Sequence, residues 1–89
     1  MNRFFTTCAD KEYKDWQKSN INVFTKINDL VDNIEEHGMS EGIGKPEQLR
    51  HYDSPTFSRT ITKGDRLVYR PYGDGDVLII SCKGHYDDK

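Results

Sequence analysis

The sequence predicts an α+β fold: a short N-terminal strand and a two-helix hairpin packed on a mostly antiparallel, twisted sheet. Three observations carry this. Residues 9–34 place apolar side chains at helical spacing, residues 57–83 read as three runs of strand formers separated by turn residues, and the helices supply the large oily stripe that one sheet face needs to cover it. With 89 residues one modest hydrophobic core is expected, hence a single domain over 1–89.

"RFFTTC" (Arg3–Cys8) is aromatic and β-branched and reads as a strand. Asp10 can cap a helix running from Lys11 to about Lys18, whose Ala9, Tyr13 and Trp16 form one apolar face. Both rings are read as core rather than as stacking platforms. Ser19-Asn20 breaks the run and can cap a second helix. There Val23, Phe24, Ile27, Leu30, Val31 and Ile34 keep the 3.6 period, and His37-Gly38 ends it. Gly38 to Phe57 is rich in Gly and Pro and reads as a long loop, a kind of segment that commonly carries function. "FSRTIT", a Lys63-Gly64 turn, "DRLVYR", the connection "PYGDGD" and "VLIISCK" complete the sheet, the last run being apolar enough for a central strand. Tyr69 is expected to pack in the core or across strands.

Composition narrows the classes. No apolar stretch approaches the roughly 20 residues that span a bilayer, and the N-terminus lacks a signal-peptide layout, so a cytoplasmic protein with no membrane partner is expected. Cys8 and Cys82 have neither CxxC spacing nor His partners, so the expectation is two reduced, buried thiols and no metal or cofactor. The formal net charge is −2, which gives little unaided attraction to RNA. Between positions 45 and 70, however, Lys45, Arg50, Arg59, Lys63, Arg66 and Arg70 face only Glu47, Asp53 and Asp65. The sheet face turned away from the helices is expected to carry these basic side chains.

Metal-free RNA cleavage requires a base for the 2′-OH, a cation for the phosphorane charge and an acid for the leaving 5′-oxygen. Glu47 is a candidate base, with Lys45 and Arg50 flanking it. Arg66 is a candidate phosphate clamp, because its planar fork meets phosphate oxygens and stays charged. His85, in the unusual ending "SCKGHYDDK", is a candidate acid, and Tyr86 can stack on a base or bond a phosphate. His51 is either loop packing or an auxiliary substrate contact. A surface ion pair for Glu47 and an exposed-edge position for Arg66 remain alternatives, since periodicity alone does not bring these residues together.

"GIGKPEQLRH", then "FSRTITKGDRLVYR", then an apolar strand ending in "HY", is similar to the YoeB/Txe-type toxins of bacterial toxin–antitoxin modules, in the RelE-like superfamily. The resemblance implies a microbial-ribonuclease-like fold and ribosome-dependent cleavage of mRNA in the A site. By position it implies Glu47 as general base, Arg66 as transition-state clamp, His85 as general acid and Tyr86 as the residue positioning RNA. Lys45, Arg50 and Arg59 would be RNA or ribosome contacts. Implied partners are a YefM/Axe-type antitoxin, the ribosome with its 16S rRNA, operator DNA only through the antitoxin complex, and a second copy in a homodimer. Phe57 and Thr60 stand where the family usually has a tryptophan and a second arginine, and Lys63-Gly64-Asp65 replaces an acidic pair and a histidine. Two rivals are a gyrase-binding ParE-like toxin without catalysis, against which the presence of Glu47, Arg66 and His85 argues, and an inactive homologue acting as antitoxin or operator partner, which the Thr60 and Asp65 changes keep open.

Overall fold

A computed structural model of the chain describes residues 1–84. Strand β1 is Arg3–Phe5, helix α1 Thr7–Ser19, helix α2 Ile21–His37, and four strands follow: β2 Glu47–Leu49, β3 Thr56–Thr62, β4 Asp65–Tyr72 and β5 Asp76–Ser81. The strands form one sheet in the order β1-β5-β4-β3-β2. β1 runs parallel to β5 and every other pairing is antiparallel, as the sequence implied.

The first strand is shorter than "RFFTTC" suggested, because Thr6 takes the helix cap that had been expected of Asp10. Its Oγ1 accepts the Ala9 N–H at 3.1 Å, so α1 begins a turn early and Asp10 falls in its first turn, where a carboxylate suits the helix dipole. Asn20 joins the two helices from both sides. Its N–H closes α1 on Trp16 O (2.9 Å) and its Oδ1 accepts from Val23 N–H (3.3 Å) at the start of α2. Gly38 ends α2 at φ 94°.

Ile27, Leu30, Val31 and Ile34 of α2 are buried against one sheet face, with Ala9 of α1 and Phe57, Ile61, Leu67, Tyr69, Val77 and Ile79 of the sheet. The register explains the sheet side: Phe57, Tyr69 and Ile79 stand opposite one another on successive strands. Trp16 and Tyr13 pack partly buried against this core. At one rim Arg3 reaches Asp32 (2.7 Å) and Glu35 (2.9 Å) of α2.

β5 lies inside the sheet between β1 and β4, as its apolar run suggested. Two expectations need correction. The long loop contains strand β2, which pairs Glu47 with Ser58 and Leu49 with Thr56. Only Cys82 is a buried thiol; Cys8 is exposed. Burial pushes the Cys82 thiol up to about 12, so it is inert at neutral pH. Among the described residues no helix is long and apolar enough to cross a membrane.

Candidate active site on the open sheet face

Side chains alternate across a strand, so the partners of the core positions fall on the other face of the sheet. These are Glu47 on β2, Ser58 and Thr60 on β3, Arg66, Val68 and Arg70 on β4, and Leu78 on β5. Ser58 and Val68 are nonetheless fully buried, so this face is less open than the sequence suggested. Glu47 and Arg66, 19 positions apart in the chain, meet here: Arg66 Nη1 lies 3.5 Å from Glu47 Oε1. The contact is long and single, with the glutamate side chain 63% and the arginine 27% exposed, so it adds little to stability and exchanges readily.

Among the described residues three buried side-chain polar atoms have no hydrogen-bond partner: Ser58 Oγ, Arg66 Nε and Arg70 Nε. All three belong to residues of this face. Buried donors in folded proteins are normally satisfied, and an unmet Arg66 donor beside a carboxylate suits an anionic ligand with its own proton to give up. Glu47 can accept that proton while Arg66 holds the anion.

Arg59 behaves oppositely, and here the sequence reading is overturned. It was expected among the RNA contacts; it is fully buried on the helix side of the sheet. Its Nε donates to Tyr69 Oη (2.9 Å), Nη1 to Asn33 Oδ1 (2.8 Å) and Ile43 O (3.0 Å), and Nη2 to Gly38 O (2.8 Å) and Glu41 O (2.7 Å). All five of an arginine's N–H donors are thereby used. No carboxylate is among the acceptors; carbonyls beyond the C-terminus of α2, where the helix dipole favours a cation, take the charge. Tyr69, whose hydroxyl donates to Met39 O (2.6 Å), completes the network. Burial raises its pKa, with Arg59 opposing.

This network is what places Glu47. It pins residues 38–43 to α2 and the sheet, and Gly44 O then accepts the Thr60 N–H at 2.8 Å, starting the alignment that β2 continues. The glycines of "EGIGK" are needed for it. A Cβ on Gly42 (φ 116°) would run into the Asn33 amide, and one on Gly44 (φ 82°) would meet Leu30 Cδ2 at 2.7 Å. Lys45 is exposed at φ 53° just before β2; Arg50 and His51 (φ 67°) are exposed just after it.

The segment after β5, residues 82–84, is anchored beside the same site. Cys82 N–H donates to Glu12 Oε1 (2.8 Å) and Cys82 O accepts from Trp16 Nε1 (2.8 Å), two residues one helical turn apart on α1. Lys83 Nζ sits 5.3 Å from the centre of the Trp16 ring. Gly84 N–H donates to Asp65 Oδ1 (2.8 Å), and Gly84 O accepts the Arg66 N–H (3.0 Å). Asp65 Oδ2 takes the Thr62 hydroxyl at 2.6 Å, so Asp65 ties a turn to the C-terminal segment rather than drawing on the Arg66 guanidinium. His85 and Tyr86 lie outside the described residues. Sequence reasoning missed Glu12, Asp65 and Asn33 as anchors. The i,i+4 pair Glu12/Trp16 was the one visible signal for the first, while Asp65 and Asn33 gave none.

Residues 5–86 match the profile described as YoeB-like toxin of bacterial type II toxin-antitoxin system. Toxin YoeB of Escherichia coli (strain K12) is 40% identical over 75 residues, 84% of this chain and 87% of that one. The structure of the YoeB dimer from Staphylococcus aureus superposes with a TM-score of 0.89 at 40% identity, covering 97% of this chain and 98% of that one. The toxin of the YoeB-YefM complex from Staphylococcus aureus superposes with a TM-score of 0.87 at 41% identity, with the same coverage. A match across nearly the whole chain in both sequence and fold places it: the chain belongs to the YoeB-like toxins of bacterial type II toxin–antitoxin systems.

Proposed function

We propose that this toxin is a ribosome-dependent endoribonuclease that cuts mRNA in the A site. The observation that supports the reading most is the meeting of Glu47 and Arg66 on a face whose buried donors lack partners. The exposed Glu47 carboxylate removes the proton of a 2′-OH. The freed oxygen attacks the adjacent phosphorus, and the 5′-oxygen leaves with a proton from His85. The products are a 2′,3′-cyclic phosphate, which can open to a 3′-phosphate, and a 5′-OH. Arg66 meets the charge that grows on the non-bridging oxygens, its guanidinium donors being uncommitted among the described residues apart from the weak contact with Glu47. Tyr86 positions the RNA; both it and His85 are assigned from the sequence. Lys45, Arg50 and His51 flank Glu47 and contact RNA or 16S rRNA. No metal or cofactor enters.

A net charge of −2 makes free RNA a poor target, so the ribosome delivers the message and the protein acts in the cytoplasm. A YefM-type antitoxin is the partner expected to silence the site, with operator DNA bound through that complex, and a homodimer is the expected self-assembly.

The test is translation of one defined message in vitro with 5′ ends mapped by primer extension. Cuts should appear only while ribosomes translate. Glu47→Gln and Arg66→Ala should each lower the cleavage rate about 100-fold or more. Intact message at normal protein yield would sink the reading.

A further inference from the structure

Beyond Glu47 and Arg66, the same sheet face holds an arginine that the reaction does not use. Arg70 is half-buried, its Nε is fully enclosed without a partner, and among the described residues its guanidinium makes no ion pair. A partly desolvated, unpaired cation is costly and suits an anion brought by a ligand. Next to it lie two rings. Phe4 of β1 stands beside Leu78, which pairs with Arg70. The Phe4 ring meets that of Tyr72 at 5.3 Å between centroids and 58° between planes. Both are large apolar side chains left in solvent, 43% and 48% exposed. Asp76, opposite Tyr72 in the register, already accepts the Asn2 N–H at 2.9 Å.

These features fall in a line. Arg66, Arg70 and Tyr72 share one face of β4, so Arg70 follows Arg66 by about 13 Å and Tyr72 follows Arg70 by about 7 Å. A single nucleic-acid strand lying along β4 would meet a phosphate clamp, a second guanidinium and then an aromatic step. Two rings are far too small for the core of a protein interface, which takes about 800 Å² per partner. They match one unstacked base.

We propose that Arg70 with Phe4 and Tyr72 forms a second nucleotide-binding site, in which Arg70 takes a backbone phosphate and the rings take a base of the RNA flanking the scissile phosphate. The site rests on the reading of RNA as substrate. It sets how the flank is held, and so the base preferred there.

The test has two arms. In the first, binding of a labelled, uncuttable 2′-O-methyl oligoribonucleotide of ~10 residues is followed by anisotropy across a salt series. Tyr72→Ala should weaken binding about tenfold. Arg70→Gln should reduce the slope of log affinity against log salt by about 0.7, one single-strand phosphate, while Arg70→Lys should keep the slope. In the second, cleavage on translating ribosomes should show KM rising more than kcat falls for both Arg70→Gln and Tyr72→Ala, with altered base preference beside the cut. Unchanged binding and salt slope in these variants, or no binding by the wild-type chain even at the low-salt end of the series, where attraction to RNA is strongest, overturns the site. So does loss of dimerisation or antitoxin affinity with RNA binding intact, which would make the rings a protein contact. Wild-type protein that binds the oligonucleotide through Arg70 but never cuts on ribosomes would refute the cleavage reading and leave the site standing. Unaltered melting curves establish that the exposed substitutions do not act through folding.

Discussion

Arg59 and Arg66 sit on neighbouring strands, one register step apart, and the two faces of the sheet treat them in opposite ways. Under the helices every Arg59 donor has a partner, and all its acceptors are neutral carbonyls, an amide and a phenol. On the far face Arg66 has one long contact with an exposed carboxylate and a buried Nε with none. Saturation marks a structural arginine, and unmet donors mark one that awaits a ligand. Charge counts along the chain cannot separate the two, because both contribute +1 to the same basic stretch.

The contrast can be broken most forcefully at Arg59. Arg59→Ala leaves the carbonyls of residues 38, 41 and 43 and the Asn33 amide facing a void. We expect a loss of about 3–5 kcal/mol in urea unfolding, enough to abolish a small fold. A stable variant that merely binds RNA less well would restore Arg59 to the surface role and undo the comparison. Gly42→Ala attacks the same network from the loop side, through positive φ and the clash with Asn33. It should cost about 2 kcal/mol, and nuclear magnetic resonance shifts of residues 38–47 should move while those of β5 stay. At the small end, Arg66→Ala should change unfolding free energy by less than about 0.5 kcal/mol. A substantial loss there would mean that Arg66 is also structural.

Much of this fold was legible in order. The helices follow from an unbroken 3.6 period, and Asn20 was a readable cap because it separates two such runs. β2 was not legible: Glu47-Gln48-Leu49 has no alternation and lies among Gly and Pro, and its strand character comes from pairing with β3. The candidate base and clamp could be nominated by residue type, yet their meeting depends on β2 lying two strands from β4, which no local pattern encodes. For Arg59 the pattern held a clue that charge counting overrode. It alternates in phase with Phe57 and Ile61, so a strand reading places it with the core, where Asn33 and Tyr69 supply acceptors. The commitment of Asp65 to Gly84 and Thr62 was not legible, because it depends on where a distant segment arrives.

The pairing of β1 with β5 has a consequence in the order of synthesis. Arg3–Phe5 are made before their partners Val77–Ile79, which come more than 70 positions later. Until those residues have emerged, β1 has nothing to lie against, β4 has one bare edge, and the Gly84 carbonyl that fixes the Arg66 backbone does not exist. Such non-local closure delays folding until β5 and Gly84 have been made. Under the activity proposed above, the growing polypeptide therefore lacks an assembled site, and its maker is spared, until β5 has emerged from the ribosome producing it.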